Sequence, residues 1–395
     1  MSTTTKAHGM DGTLVEPDWL PLQLNEVRQL LVQFPDCAEP MQILSISPRP
    51  FSAASVVATQ TGRVFIKRHH RSVRDAEGLL EEHRFMGHLR AHVAPVPRVF
   101  ATSSGLTAIE NGEWTYEVHE APDEVDLYED AISWTPFRSL GHARSAGQAL
   151  ARLHLASQGF AAKRRKPRPL VAGFTIFAAA DPGAEMIRYL AERPALRYDA
   201  DAREGSKQAL ELLAPFHAEL LPFLPALSSL WTHNDLHASN LLWSDAGPDA
   251  KAAAIIDFGL ADRTNAVHDI AQAIERNIVE WLALTQDPAC DADVPVHLDH
   301  LQALLEGYES VRSLSTEEVA ALAPMTALCH AEFALTEADY FLGVLHSKEK
   351  ARLASVDYLV GHARWFRSAA GHDLLENLRH WAKARKREPQ GIGSK

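Results

Sequence analysis

Residues 231–243 read WTHNDLHASNLLW, and residues 252–262 read AAAIIDFGLAD. In the second stretch the apolar run Ala253 to Ile256 has the length and composition of a buried strand, and it delivers Asp257 to the strand's end. Phe258 and Gly259 then turn the chain, glycine allowing a backbone angle that other residues resist. In the first stretch Asp235 and Asn240 sit on a loop, pinned by Trp231 ahead and by Leu241, Leu242 and Trp243 behind. Asp235, Asn240 and Asp257 form an all-oxygen set. Magnesium prefers oxygen ligands and keeps several waters and phosphate oxygens. Asn240 and Asp257 suit that role, which leaves Asp235 to accept a proton from a hydroxyl.

Working outward, the chain divides into two unlike parts. The first third reads as strands near Met41–Ser47, Ser55–Gln60, Arg63–Lys67, Leu106–Glu110 and Glu113–His119, with turn signals at Thr61-Gly62 and Asn111-Gly112. Helical spacing appears over about 24–32 and 74–91. After Pro136 helices dominate, at about 138–157, 204–221, 266–285, 297–311, 315–343 and 348–369. The expected organisation is a loose arm over 1–20, an N-lobe over 21–119, and an acidic, solvated connector over 120–130. A helical C-lobe follows over 131–382, carrying the catalytic loop 231–243 and the metal loop 255–262, and 383–395 is a frayed basic tail. The acids of the connector region, counted from Glu117 through Glu120, Asp123, Glu124 and Asp126, read as a solvated face.

The chain has 395 residues, 46% hydrophobic, with a formal net charge of −12. That is enough for two lobes with a sizeable core. An acidic surface repels phosphate backbones and anionic lipid, so nucleic acid and membrane are disfavoured as partners. Three cysteines, Cys37, Cys290 and Cys329, lie far apart without a CxxC pair, which points to a reducing compartment. No apolar signal segment opens the sequence and no run of about 18 apolar residues occurs. A cytoplasmic protein is expected. Of the histidines, adjacent His69 and His70 on a strand point to opposite faces and make a poor chelate. His154 lies on an apolar helical stripe, as a satisfied core histidine would.

His233-x-Asp235-x-x-x-x-Asn240, followed by Asp257-Phe258-Gly259, resembles the catalytic and metal-binding motifs of the aminoglycoside phosphotransferase/choline kinase group, relatives of the protein kinases. The resemblance covers roughly residues 41–343. It implies an α+β, protein-kinase-like two-lobed fold, with a small β-rich N-lobe and a large, mainly helical C-lobe. It also implies ATP and Mg2+ as cofactors and a small-molecule hydroxyl acceptor. On that reading Asp235 is the catalytic base and Asn240 and Asp257 hold the metal. Lys67, ending the strand Val64-Phe65-Ile66, grips nucleotide phosphates. Glu82 orients Lys67, as Leu89 and Pro95-Val96-Pro97 downstream fit the pattern, with Glu81 as a competitor. His233 joins the catalytic set by packing under the loop. Asp269 and His237 support it, and adenine lies against Val118, Glu120 and Ala121.

One departure stands out. The phosphate-covering turn Pro48-Arg49-Pro50-Phe51-Ser52-Ala53-Ala54-Ser55 contains no glycine. Ser52, Ala53 and Ser55 are nevertheless small enough to let backbone N–H groups approach phosphates. Glu275, Glu332, Glu337, Asp339 and Tyr340 are acceptor-site candidates from predicted position alone. The expected acceptor is an aminoglycoside, an amino alcohol or a similar metabolite, and because GYESVRSLSTEEVAAL at 307–322 looks like a segment of the homoserine-kinase-type branch, a homoserine-kinase-like metabolic enzyme is the alternative. A nucleotide-binding pseudokinase without turnover is the alternative of another class.

Overall fold

The computed structural model describes residues 17–285 and 287–385. Strands β1 (Pro40–Ile46), β2 (Ala53–Thr59), β3 (Gly62–His70), β4 (Ala108–Asn111) and β5 (Trp114–Glu120) form an antiparallel sheet in the order β1-β2-β3-β5-β4. The β4–β5 hairpin turns at Gly112, whose φ of 60° is the left-handed conformation such a turn needs. Because side chains alternate along a strand, the sheet has two chemically different faces. Val57, Val64, Ile66, Tyr116 and Val118 make an apolar core with Val27, Leu30 and Leu31 of helix α1 (Leu24–Leu31). Lys67, His69, Glu117 and His119 occupy the other face, toward helix α2 (Ala76–Ala91).

Glu117 is therefore no part of a solvated connector. It lies inside β5, 1% exposed, and three imidazoles bond to it. The true connector begins after Glu120 and is pinned where Val125 exchanges two backbone hydrogen bonds of 2.8 Å with Trp243. Residues 17–20 are not loose either. Asp18 bridges to Lys350 at 2.8 Å and accepts from the Tyr340 hydroxyl at 3.0 Å, and Trp19 stacks on His70. Residues 1–16 of the expected arm lie outside the described residues.

The C-lobe contains α3 (Leu140–Ala156), α4 (Pro182–Ala191), α5 (Ala200–Leu220), α6 (Ala266–Ile278), α7 (Leu298–Glu309), α8 (Thr316–Leu328) and α9 (His330–Gly343). After these come α10 (Lys348–Arg352), a π turn (Leu353–Tyr358), α11 (Leu359–Phe366) and α12 (Ala369–Arg385). Asn265 starts α6 by accepting the His268 N–H at 2.9 Å. That helix stops seven residues short of the expected 285, because Val279 turns extended and bridges to Val296. Helices α4 and α12 were not expected. The tail reading fails for Lys383–Arg385, which complete α12, and its remainder lies outside the described residues.

Thr316–Gly343 is long and apolar enough to cross a membrane by length and composition, yet 94% of its most apolar window is buried within the protein. It is a core helix pair packed on α5 and α6. Elsewhere α3 and α7 cross at glycines. A Cβ added at Gly147 would run into the Leu304 carbonyl, and one at Gly307 into the Arg144 carbonyl. Neither backbone can retreat without moving a whole helix. Gly147→Ala is therefore expected to cost about 3 kcal/mol, the upper end for overpacking, read as a lower urea midpoint at unchanged slope.

Candidate active site

Two short antiparallel ladders build the site. β6 (Ser229–Thr232) pairs with β9 (Asp262–Asn265), and β7 (Leu241–Trp243) pairs with β8 (Ala252–Ile255). The loop 233–240 and the turn 256–261 are thus held side by side, with the Ile256 N–H donating to the Asn240 carbonyl at 3.0 Å. Asp269, wholly buried in the first turn of α6, accepts the backbone N–H groups of His233 at 2.9 Å and Asn234 at 2.7 Å. His154 Nε2 bonds to the same carboxylate at 3.0 Å. Burial opposes the charge on Asp269, but the His154 and backbone bonds outweigh it and hold the carboxyl below its ordinary range. His154 is thus a satisfied core histidine that also braces this loop.

His233 is fully buried under the loop, bonding through Nε2 to the Ile256 carbonyl at 2.9 Å, and does not face the cavity. The left-handed residues here are Asn234 (φ 62°) and Asp257 (φ 58°), not Gly259. What Gly259 supplies is room. A Cβ there would sit 3.3 Å from Asp257 Oδ1, while Arg74 and Arg165 donate to the Gly259 carbonyl at 2.7 and 2.8 Å.

Between the lobes lies a cavity of about 540 Å³. Lys67, Glu82, Asp235, Asn240 and Asp257 all face it. Lys67 Nζ meets Asp257 Oδ1 at 2.8 Å. Burial would discharge Lys67, but Asp257, Glu117 and Glu82 outweigh it and raise its pKa. Burial likewise opposes the Asp257 charge, and Lys67 holds that carboxyl far below its usual range. No Lys67–Glu82 ion pair forms, since Asp257 takes the ammonium. Glu82, 3% exposed, lines the cavity, its Oε2 has no hydrogen-bond partner among the described residues, and Arg165 Nη2 lies 3.9 Å from that oxygen. Glu81 turns instead to Arg165 Nε at 3.6 Å, outside the cavity lining.

Asp235 sits 3.3 Å from Arg276 Nε and 3.7 Å from His237 Nε2. Burial raises its pKa, yet the His237 and Arg276 contributions prevail and leave it below the ordinary value. Burial lowers the pKa of His237 despite Asp235, so Arg276 is the cation at neutral pH. Asn240 donates its amide to the Asp235 carbonyl at 2.9 Å, which leaves its own side-chain oxygen for a cation. That oxygen and the Asp257 carboxylate, 39% exposed, make a hard donor pair suited to magnesium.

The other expected positions separate. Of the phosphate turn, Arg49 and Ser52 line the cavity, whereas Ala53 and Ser55 are buried in β2. Val118 faces the α1 core, and its carbonyl accepts from Phe100 N–H at 2.8 Å. The Glu120 N–H goes to the Arg98 carbonyl at 2.8 Å, so two of the backbone groups expected to hold adenine are already bonded. Ala121 is not in the cavity lining. Among the acceptor candidates only Glu337 lines the cavity. Glu275 faces His362 at 2.9 Å, and Glu332 accepts from Ile176 N–H at 2.7 Å and Thr175 Oγ1 at 2.8 Å, tying down that loop. Asp339 and Tyr340 lie outside the cavity lining.

Arg49 and Arg276 were missed. Arg276 falls seven residues after Asp269, two turns along the same helix, a spacing that could have found it. Its guanidinium lies over Phe333 at 4.1 Å and Trp134 at 5.4 Å.

Residues 49–314, well over half of the chain, match the family model described as the phosphotransferase enzyme family. The chain belongs to the phosphotransferase enzyme family. This phosphotransferase chain is 30% identical over 229 residues to a homoserine kinase of Gluconacetobacter diazotrophicus, covering 57% of the chain and 61% of that relative. It is 30% identical over 203 residues to a homoserine kinase of Xanthobacter autotrophicus, covering 51% of the chain and 53% of that relative. The chain thus spans less than two thirds of the length of these curated relatives. Among solved structures, a microcompartment-associated aminopropanol kinase superposes with a TM-score of 0.56 at 18% identity, over 90% of this phosphotransferase and 98% of that chain. An aminoglycoside phosphotransferase of Alicyclobacillus acidocaldarius gives 0.50 at 18% identity, over 93% and 98%. These likenesses establish the protein-kinase-like fold.

Proposed function

We propose that this chain transfers the γ-phosphoryl group of ATP to a hydroxyl of a small amine-bearing metabolite. The observation that carries the reading is the convergence of Lys67, Asp235, Asn240 and Asp257 on one interlobe cavity. Lys67 grips the nucleotide phosphates, and Arg49 adds charge where the glycine-free turn offers fewer backbone donors. Asn240 and Asp257 hold magnesium, which when bound neutralises phosphate charge. Asp235, ionised and steadied by Arg276, orients the acceptor hydroxyl and takes its proton.

Glu337 supports an amine on the acceptor. Burial pushes its carboxyl up to about 7, opposed by Arg276 and aided by Asp235, Glu275 and Asp18. An ammonium group beside it favours the ionised form, so KM for a cationic acceptor is expected to fall as pH rises through about 7. Well below that pH the change approaches about tenfold per unit. A flat profile in the wild-type chain would contradict the assignment, and Glu337→Gln should remove the pH dependence. The sign for stability is opposite. A raised carboxyl pKa means the folded chain holds its proton more tightly, so this group's contribution is lost as pH climbs from about 4.5 through about 7.

A homoserine-kinase-like activity is the second reading. Arg276 favours it, since its Nη2 lacks a hydrogen-bond partner among the described residues and a carboxylate would supply one. The test is product detection with ATP and magnesium across amines, sugars, amino alcohols and hydroxy amino acids, beside a nucleotide thermal shift. Turnover with an amino alcohol or hydroxy amino acid is expected. A nucleotide shift without any turnover would favour the pseudokinase, and neither signal would sink the proposal.

A further inference from the structure

Behind Lys67, on the sheet face toward α2, four side chains converge that the proposed reaction does not use. Glu117 Oε2 meets His83 Nε2 at 2.7 Å and His119 Nε2 at 2.7 Å, while Oε1 meets His69 Nε2 at 2.8 Å. Glu117 is 1% exposed, and the three histidines are 6–8% exposed. They come from three separate elements: His69 from β3, His83 from α2, and Glu117 with His119 from β5. The donor atoms of His83, Glu117 and His119 all lie within 4.8 Å of one another. From these positions we infer that His83, Glu117 and His119 form a binding site for a zinc-type divalent cation, with His69 bonded to the other oxygen of the same carboxylate.

The chemistry of the set supports this. Two imidazoles and a carboxylate are borderline donors that suit Zn2+, which takes three or four such ligands tetrahedrally. Mg2+ prefers oxygen alone, so this centre does not compete with Asn240 and Asp257 for the same ion. His83 already has the outer partner typical of a ligating histidine, with Nδ1 at 2.8 Å from Thr107 Oγ1. An ionised carboxylate only accepts, so without metal the His83 Nε2 carries the proton. Metal binding at Nε2 displaces that proton. The ring then carries its proton on Nδ1 and donates to the Thr107 hydroxyl. His69 also lines the interlobe cavity, which provides an entry path. A bound ion would pin α2, and with it Glu82, to the sheet.

The test uses the intact chain, stripped with chelator and titrated with Co2+ and then Zn2+ in the absence of nucleotide. One equivalent of Co2+ is expected per chain, with the visible absorption of a low-coordinate nitrogen and oxygen site, displaced by Zn2+. The thermal midpoint should rise with Zn2+, because an ion that binds only the folded state stabilises it. His83→Ala and His119→Ala should each weaken binding by about tenfold or more. His297, Asp299 and His300 form a partly exposed competing group, so the measurement is repeated in His300→Ala, which should retain the site. Should the cluster variants fail to fold by circular dichroism, zinc-edge absorption on the His300→Ala chain decides, with imidazole ligation expected. Absence of stoichiometric binding, equal affinity in the His83 and His119 variants, or an all-oxygen shell would overturn the inference.

Discussion

Asp235→Asn is expected to lower turnover by about 10²-fold or more while nucleotide binding is kept. The carboxylate is the acid of loop 233–240 that faces the cavity, and it is held ionised beside Arg276 at 3.3 Å. An amide of the same shape keeps the loop's packing but cannot accept a proton. The loop itself is braced from below by Asp269, and asparagine at 235 keeps the backbone carbonyl that accepts the Asn240 amide, so the variant should fold normally. Steady-state kinetics beside nucleotide titration separate the two effects. Near-normal turnover would remove Asp235 from the mechanism. Loss of nucleotide binding alongside turnover would mean that the side chain shapes the phosphate site instead.

The second large effect concerns Asp257. Asp257→Ala should abolish the magnesium dependence of nucleotide binding and lower kcat by about 10²-fold or more, the scale on which losing a preorganised electrostatic partner acts. The expectation rests on the 2.8 Å contact to Lys67 and on the 39% exposure of the Asp257 side chain, which lines the cavity. Removing the carboxylate also frees Lys67, so binding of nucleotide without magnesium should persist or improve. Titrations with and without the ion check both parts. A variant whose magnesium-dependent affinity equals that of the parent would refute a ligand role for Asp257.

Much of the fold was legible because its determinants are local. The five N-lobe strands, α2 and the strand that carries Asp257 each announce themselves through periodicity, turns and caps within a few residues. Helices α4 and α12 escaped, and α6 was drawn too long, because Val279 leaves the helix only to bridge Val296, a residue seventeen positions on. Glu117 was misread for a related reason. Among neighbouring acids it looks solvated, and only the folding of β3 and α2 against β5 brings the three imidazoles that make its burial tolerable.

The linear order of residues determined the chemistry on offer: one loop with Asp235 and Asn240, an Asp257 just past a short apolar strand, and a lysine directly after the apolar run Val64-Phe65-Ile66, although β3 continues past it to His70. Those are short-range facts, fixed by spacing and by strand and turn propensity. The tertiary structure alone decided who meets whom. It gave Lys67 to Asp257 and left Glu82 facing the cavity, brought Arg276 to Asp235, and excluded Glu275, Glu332 and Asp339 from the cavity. Such pairings depend on side chains far apart in the chain competing for the same partner in a low-dielectric space, and that competition has no signature in any local window of sequence.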